Sequence, residues 1–458
     1  MRRTARGITS ATFVRAGELA SRRCLHCARV RVGEHPVSRE RPVFWCSELS
    51  RFLMTKDQRQ TASYEDGSRI TTTFPAYFHL AAVTWGCLLL HSWAAGAETA
   101  RETSSEWQYG ALVDLSYALN FNFPENHIFR SKQTTPRTNE FAPNMVLGYV
   151  LKEAQRPKQW GMEFGLQAGY DTDNLVAPEQ SGRDKPVPGA DVLRHLSRAN
   201  VSYLAPIGNG VLLTAGLMKG YINFESFYAK QNFNYTRSYL TDFSPNFVFG
   251  VGGRYAITHN VDVGFHVMNG FQYLTHANNL PGYGAEVDWR LAKRVVLAQN
   301  FYYGPDQTDT SLRFWRFFSD TQLQWRGDDL TIALAYDIGT ERAAEQVDHG
   351  RMFWTGAALF TKWDIIGPWS VAVRPEWFWD RNGRVSQAEQ LLWAVTSTLA
   401  YERHIRRHLW VARLEYRYDH STGPDGGFFK QGDIAPGVPR LVPSQHIILF
   451  SLLWAFDS

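Results

Sequence analysis

Two groups of residues in the chain come near the spacing of a metal or catalytic site. His404 and His408 lie four residues apart and would share one face of a helix, but the surrounding pattern predicts a turn between strands. The segment 171–174 (Asp-Thr-Asp-Asn) resembles the start of a calcium-binding loop, yet Val176 and Arg183 replace its glycine and its distal glutamate. We interpret this segment as an acidic, solvated loop.

Other chemistry is also poorly supported by the spacing of the residues. Beyond Glu98 no serine, histidine and acidic residue are spaced as a catalytic triad, and no glycine-rich phosphate loop of the required spacing occurs. Cys24 and Cys27 with His26 supply at most three ligands, whereas a structural zinc site needs four. We therefore predict no enzyme, no metal site and no cofactor.

Charged residues beyond Glu98 instead alternate with apolar ones, and this period of two places them on one face of a strand. Inside a barrel such faces line the lumen, where opposite charges pair and also set the field that a solute meets. The residues predicted to line a pore are Glu163, Glu286, Asp288, Arg290, Asp337, Arg374, Glu376, Arg413, Glu415 and Arg417.

The opposite faces of these segments are long and apolar. A soluble sandwich would alternate too, but here aromatic residues lie at the ends of the apolar faces, as at Trp369, Trp377 and Trp379. Aromatics make up 14% of a chain whose mean hydropathy is −0.32, a combination expected when aromatics lie at membrane interfaces and polar residues face inward. Leu334 and Leu452 are therefore predicted to face lipid, and Ala335 to point into water.

Sixteen candidate strands are connected by links that alternate between long and short. Short periplasmic turns and longer external loops are typical of an antiparallel membrane barrel. The sheet must close on itself, because no water in the hydrocarbon region can satisfy an open edge. The candidate strands are roughly 107–120, 144–152, 159–171, 194–205, 211–219, 246–257, 261–268, 283–291, 294–303, 314–326, 329–339, 352–363, 369–379, 389–402, 407–418 and 445–456.

Residues 1–97 are predicted to be a leader that is absent from the mature protein. The mostly apolar segment 77–93 is followed by Ala95-Gly96-Ala97, a cleavage site of secretory type, and the alternative is an uncleaved membrane anchor. Residues 1–54 are an arginine-rich extension, which could be a transit peptide or the product of a misplaced start, with Met54 as the true one. The expected domains are thus the leader 1–97 and a barrel 98–458.

The balance of charged residues and the number of cysteines differ between the two sides of this boundary. Residues 1–97 hold 14 basic and 7 acidic side chains, so 34 basic and 37 acidic ones remain beyond them. The basic isoelectric point therefore belongs to the leader, which removes the case for a nucleic-acid partner. All four cysteines, at positions 24, 27, 46 and 87, also precede Glu98.

Seven segments occur in a characteristic order: 201–206 (VSYLAP), 234–238 (NYTRS), 268–271 (MNGF), 300–307 (NFYYGPDQ), 354–359 (WTGAAL), 374–380 (RPEWFWD) and 413–419 (RLEYRYD). In these segments the chain, from about Trp107 onward, resembles the OmpL-like family of outer-membrane β-barrel porins. The resemblance implies a barrel and a channel of unknown substrate, and it agrees with the all-β fold that the alternation predicts, a transmembrane antiparallel up-and-down barrel of about sixteen strands. The long leader departs from the family pattern.

The resulting hypothesis is a porin in the outer membrane of a Gram-negative bacterium, which lets small hydrophilic solutes or ions diffuse through a water-filled channel. The alternative is an adhesion or structural barrel whose external loops bind partners, and a barrel-embedded hydrolase is a third reading. Lipid of the outer membrane is the expected surrounding. The oligomeric state stays open, although trimers are common among sixteen-stranded porins.

The third external loop, roughly 220–245, is predicted to fold into the barrel and narrow it. Six aromatic residues make it an unusual segment to leave in water: Tyr221, Phe224, Phe227, Tyr228, Phe233 and Tyr235. Its charges Glu225, Lys230 and Arg237 would then project into the passage opposite Arg374 and Glu376. The alternative is that the aromatics cap the barrel from outside or meet a neighbouring protomer.

The first prediction concerns processing. If Ala95-Gly96-Ala97 is the cleavage site, mass spectrometry of protein from the outer membrane should find an amino terminus at Glu98 or within a few residues of it. Recovery of peptides from residues 1–54 in that fraction would show that the leader is retained.

Overall fold

The computed structural model describes residues 107–458, except for 176–179, 182–184, 187–189, 275–278, 308–311, 343–349, 424–425 and 436. The leader, its cleavage site and all four cysteines lie outside the described residues. Among those described, no helix is both long and apolar enough to cross a membrane.

Sixteen antiparallel strands form one closed barrel, in which each strand pairs with its neighbours in sequence and the first pairs with the last. In the closing pair, Val113 lies opposite Trp454. The strands are β1 Gln108–Asn120, β2 Phe141–Lys152, β3 Trp160–Ala168, β4 Leu196–Ala205, β5 Val211–Lys219, β6 Phe247–Thr258, β7 Val261–Met268, β8 Gly282–Ala292, β9 Val295–Gly304, β10 Arg316–Arg326, β11 Leu330–Glu341, β12 Met352–Ile366, β13 Trp369–Asp380, β14 Gln390–Ile405, β15 His408–Thr422 and β16 Ser444–Asp457. The predicted fold class and strand number are confirmed.

The links between strands alternate in length as the sequence predicts. Eight long loops, which we name L1 to L8, share one end of the barrel with the carboxyl end of β1. Their residue ranges are 121–140, 169–195, 220–246, 269–281, 305–315, 342–351, 381–389 and 423–443. Loop L2 is as long as L3, whereas the sequence predicted that L3 and L8 would be the longest; β15 runs further than expected and shortens L8.

The loops contain only short elements. The helices are α1 Tyr170–Leu175, α2 Ala190–Leu193 and α3 Tyr239–Asp242, with single 3-10 turns at Ala229–Gln231 and Leu312–Phe314. Strands Gln180–Ser181 and Lys185–Pro186 pair in L2, and strands Phe428–Ala435 and Val438–Val442 pair as a hairpin in L8. Segment 171–174 therefore lies within α1, and its first residue, Asp171, is fully buried; the prediction of a solvated acidic loop is wrong there.

Alternation along each strand separates an outer from an inner face. Leu334 and Leu452 are 46% and 42% exposed and belong to the outer face, as predicted. The outer aromatics Trp369, Trp377 and Trp379 lie at the two ends of β13. Such rings suit the boundary between hydrocarbon and head groups.

Ala335 points inward as predicted, but it does not meet water. It is 3% exposed and belongs to a buried apolar cluster that also contains Leu240 of L3. The inner face of β11 is therefore covered at this level, because a loop occupies the space that the sequence assigned to solvent.

The second prediction tests the outer face. Leu334→Arg, near the middle of β11, should cost about 2–4 kcal/mol of unfolding free energy, because a charge there meets hydrocarbon. Leu330→Arg, on the same face at the end of the strand, should cost about 0–1 kcal/mol, because its charge reaches the interface. A refolding titration in lipid vesicles measures both values; equal losses would mean that the face or the depth of β11 is misassigned.

Candidate functional site

The barrel interior is the candidate site, and loop L3 fills much of it. The inward side chains of β15 contact successive parts of L3 along the strand. The Arg413 guanidinium donates to the carbonyl oxygens of Ala229 (2.8 Å) and Asn232 (2.9 Å). One strand step further, the Glu415 carboxylate accepts hydrogen bonds from the backbone N–H (3.0 Å) and the hydroxyl of Thr236. These contacts place the loop against the wall in a defined register.

The same contacts continue toward the external end of β15. The Arg417 guanidinium donates to the carbonyl oxygen of Arg237 at 3.1 Å, and the Tyr239 hydroxyl donates to the Asp419 carboxylate at 2.7 Å. In the middle of L3, the Lys230 ammonium pairs with Asp457 at the periplasmic end of β16. Loop L3 therefore extends through most of the depth of the barrel.

A buried network of charges joins L3 to β13. Arg374 pairs with Glu225 of the loop at 2.6 Å and with Glu376 of its own strand at 3.2 Å. Glu376 also pairs with Arg417 at 3.2 Å and accepts the backbone N–H of Tyr239 at 2.6 Å. Each carboxylate thus has both a cation and further hydrogen bonds, which buried charges require to offset their lost hydration.

The first part of L3 runs along the inner face of β7 to β10. The Tyr221 ring stacks on His266, with centroids 4.5 Å apart, and lies over Gly284. A Cβ at Gly284 would come within 2.2 Å of the Tyr221 hydroxyl oxygen, so this close approach requires glycine. Two residues on, the backbone N–H of Asn223 donates to the Asp320 carboxylate at 3.1 Å.

Loops L1 and L2 cover L3 from outside. Lys132 of L1 pairs with Asp242 of L3, whose carboxylate also accepts the backbone N–H of Thr134 at 2.9 Å. Burial lowers the pKa of Lys132, and the Asp242 carboxylate opposes that shift. In L2, burial raises the pKa of Asp171 to about 7, against the opposing effect of the Arg237 guanidinium 3.6 Å away. The three loops therefore form one packed body.

The three predicted constriction residues have different surroundings. Glu225 is buried in its pair with Arg374, and Arg237 is fully buried, where it donates to the carbonyl oxygen of Phe227. Lys230 keeps a quarter of its side chain exposed beside Asp457. The six aromatics of L3 pack inward: Phe224, for example, contacts Phe360 of β12 with ring centroids 4.7 Å apart.

The ten predicted pore-lining residues all point inward but divide into two groups. Six of them are at most 4% exposed and lie beneath or beside L3: Asp337, Arg374, Glu376, Arg413, Glu415 and Arg417. Of the other four, Glu163, Asp288 and Arg290 are more exposed, and Glu286 is buried at 8% beside Arg254. Water reaches the second group more readily than the first.

Sequence reasoning missed Arg254, the centre of the more open group. Its guanidinium pairs with Glu286 at 3.4 Å, with Asp262 at 3.6 Å and with Asp288. In the segment 250–254 (Gly-Val-Gly-Gly-Arg), glycines on the inner face weaken the alternation of polar and apolar residues. The pattern therefore does not identify Arg254 as an inward residue. The inward charges of L1 and β4, Lys132 and Arg198, were also missed, since neither belongs to an extended alternating run.

The apolar part of the interior could have been predicted from the sequence of β16. Strand β16 is apolar on both faces, because Ile447, Leu449 and Leu453 alternate with the lipid-facing residues. These three side chains pack in one buried cluster with Phe227 and Tyr235 of L3. A strand that is apolar on both faces therefore indicates an interior occupied by protein at that wall.

Two cavities remain beside L3. The larger, of about 220 Å³, lies between L3 and the wall formed by β4 and β5, and residues of L2 and L4 line its outer part. The smaller, of about 50 Å³, lies nearer the periplasmic end and is lined in part by Asp457. Within the described residues, no three His, Cys, Asp or Glu side chains are grouped so that they could hold a metal ion.

Comparison with known families gives one match. The family described as "Putative beta-barrel porin-2, OmpL-like" matches residues 107–456. No curated protein matches the chain.

Solved outer-membrane proteins are similar to the chain at very low identity. The outer membrane channel DcaP of Acinetobacter baumannii is 8% identical, with a TM-score of 0.47 over 77% of this chain and 96% of that one. An anion-selective porin from Comamonas acidovorans is 8% identical, with a TM-score of 0.46 over 77% and 100%. OmpT expressed in the outer membrane of Vibrio cholerae is 9% identical, with a TM-score of 0.45 over 78% and 99%.

The third prediction concerns the attachment of L3. Arg374→Met leaves Glu225 and Glu376 buried without their shared cation, so it should cost about 3–5 kcal/mol of unfolding free energy. It should also open residues 220–246 to added protease. The matched control is Arg254→Met, whose 42% exposed side chain makes ion pairs worth about 0–1 kcal/mol each. If Arg374→Met costs no more than the control and L3 stays resistant, Arg374 does not hold the loop.

Proposed function

The chain belongs to the OmpL-like family of β-barrel porins, outer-membrane channels for solute diffusion, and we propose that its water-filled passage runs beside loop L3, which sets the bore. The observation that carries this proposal is the position of L3. It lies inside a closed sixteen-stranded barrel, and its contacts extend from β13 to the periplasmic end of β16. Any solute that crosses must therefore pass between L3 and the wall.

We propose that the solutes are small and hydrophilic and that they cross by passive diffusion. The polar walls left open beside L3 support this, because they carry charged side chains such as Arg254 and Asp288. The six buried charges have a different role in this proposal: they fix L3 in place. The interior thus acts on solutes by its shape and its field, with no catalytic step.

The proposed setting is the outer membrane, reached through export and cleavage near Ala97. The outward aromatic and aliphatic faces support contact with lipid. The amino end of β1 and the carboxyl end of β16 pair at the end of the barrel with short turns, which suits chain termini on the periplasmic side. We also propose that the protein forms a homo-oligomer, and a trimer is the state to test first.

A second candidate is a structural or adhesion barrel that does not conduct. The packing of L3 favours it, because loops L1 to L3 bury Lys132, Arg237 and Asp242 together inside the barrel. The L8 hairpin would supply a partner surface, since Ile434 and Val438 are exposed at its end. Conductance separates the two candidates.

The fourth prediction tests the proposed function. The refolded barrel, residues 98–458, should form steady channels in a planar lipid bilayer, and deletion of residues 224–236 should enlarge their conductance severalfold by removing the part of L3 inside the barrel. The matched control is deletion of residues 431–437 in the L8 hairpin, which lies outside the barrel and should leave conductance unchanged.

The outcomes of this experiment distinguish the porin from the structural barrel and locate the constriction. A parent protein that is folded but silent in the bilayer, with conduction appearing only after the L3 deletion, would support the structural barrel. Equal conductance in the parent and the L3 deletion would mean that the constriction lies elsewhere.

A further inference from the structure

The two cavities beside L3 meet at the same loop residues. Tyr228 and Gln231 line both of them. On the facing strand, Ser197 lines the larger cavity and its neighbour Arg198 lines the smaller one. The cavities are therefore adjacent, one toward the external loops and one toward the periplasmic end.

Tyr228 lies where the two cavities meet. The Tyr228 hydroxyl donates a hydrogen bond to the side-chain oxygen of Gln167, on β3, at 2.9 Å. Both residues line the larger cavity, and the phenol ring of Tyr228 also lines the smaller one. A path from one cavity to the other therefore passes Tyr228.

Basic side chains follow this route from one cavity to the other. Arg194 and Lys219 line the larger cavity, and Arg198 and Lys230 line the smaller one. We name these four residues the basic strip. Among the described residues, Lys219 has no carboxylate within ion-pair distance, and its side chain is exposed.

The acidic side chains near the route are already paired. Glu225, the described carboxylate that lines the larger cavity, is held by Arg374. Asp457 of the smaller cavity pairs with Lys230 and accepts the Tyr149 hydroxyl at 2.5 Å.

Glu163, the remaining acid nearby, pairs with Arg198 at 3.5 Å and accepts a hydrogen bond from Asn200 at 3.0 Å. A mobile ion on the route therefore meets a positive field, mostly from Lys219, which attracts anions and repels cations.

We propose that the passage of this porin runs along β3, β4 and β5 through the larger cavity, past Tyr228, and then through the smaller cavity beside β1, β2 and β4. Its basic strip makes the passage selective for small anions. This inference rests on the proposed porin function. The wall from β12 through β15 does not compete as a route, because L3 contacts it directly through buried side chains such as Glu415 and Asp419.

The fifth prediction tests the anion route by reversal potential in bilayers with a KCl gradient. The parent channel should favour chloride, and Lys219→Gln should lower the chloride-to-potassium permeability ratio roughly two- to threefold, as expected for one charge removed several ångströms from a hydrated ion. The matched control is Lys362→Gln, which removes an inward charge on β12, away from the route. It should leave the ratio unchanged.

The same recordings test whether the passage runs past Tyr228. Tyr228→Ala should raise conductance more than Tyr228→Phe, because the alanine removes the ring that separates the cavities whereas the phenylalanine removes only the hydroxyl bond to Gln167. Heat-modifiable migration on gels confirms that each variant is a folded barrel. A parent that does not conduct would contradict the porin function itself.

Other outcomes overturn only the route. A conducting parent that prefers potassium, or an equal shift in the Lys219 and Lys362 variants, would show that the basic strip does not select the ion. Conductance that is unchanged in Tyr228→Ala would place the passage elsewhere, and a larger loss of selectivity in Arg254→Gln would place it along β6 to β8.

Discussion

The ion pair between Arg374 and Glu225 joins the wall of the barrel to the loop inside it, and the arrangement of the interior depends on that contact. Removing two charges from water is costly, and the pair is stable only because each partner has further bonds. Arg374 also pairs with Glu376, and Glu225 accepts the backbone N–H of Ser238 at 2.7 Å. This requirement for complete pairing gives L3 one position, since a shifted loop would leave carboxylates and guanidinium groups buried without partners.

The position of L3 divides the interior into a half that the loop covers and a half that it leaves more open. On one side, the charges of β13 and β15 and the apolar face of β16 are covered by L3. On the other side, the ion pairs of Arg254 stay partly exposed, the larger cavity lies along β4 and β5, and the smaller one lies beside β1, β2 and β4. Charges of the same chemical type therefore have two roles: where protein covers them they attach the loop, and where water reaches them they set the field for a solute.

Much of this fold could be predicted from the sequence, because period-two alternation and alternating link lengths are local signals. They identified the strands and the inward direction of residues such as Asp337, whereas the prediction that L3 enters the barrel rested on the aromatic residues of the loop. They could not identify what covers an inward residue, which depends on contacts between distant segments. For this reason Ala335 was expected to meet water and Asp171 to lie in a solvated loop, although both are buried. Arg254 and Lys219 were not predicted to point inward, because the residues around them do not alternate between polar and apolar.

The central claim is that L3 stays fixed to the β12–β16 wall while solutes pass on its other side. Asn234 of L3 donates a side-chain hydrogen bond to Thr398 of β14 at 2.8 Å, and residues 98–458 contain no cysteine. In the double variant Asn234→Cys and Thr398→Cys, a short bis-methanethiosulfonate linker can join the two thiols through disulfides and tether L3 to that wall. Single-channel conductance can be recorded before and after reduction of the linker. The account predicts equal conductance in the two states, because the tether fixes a contact that is already permanent. A channel that is closed when tethered and opens on reduction would show that L3 must leave the wall for solutes to pass, and would contradict the account.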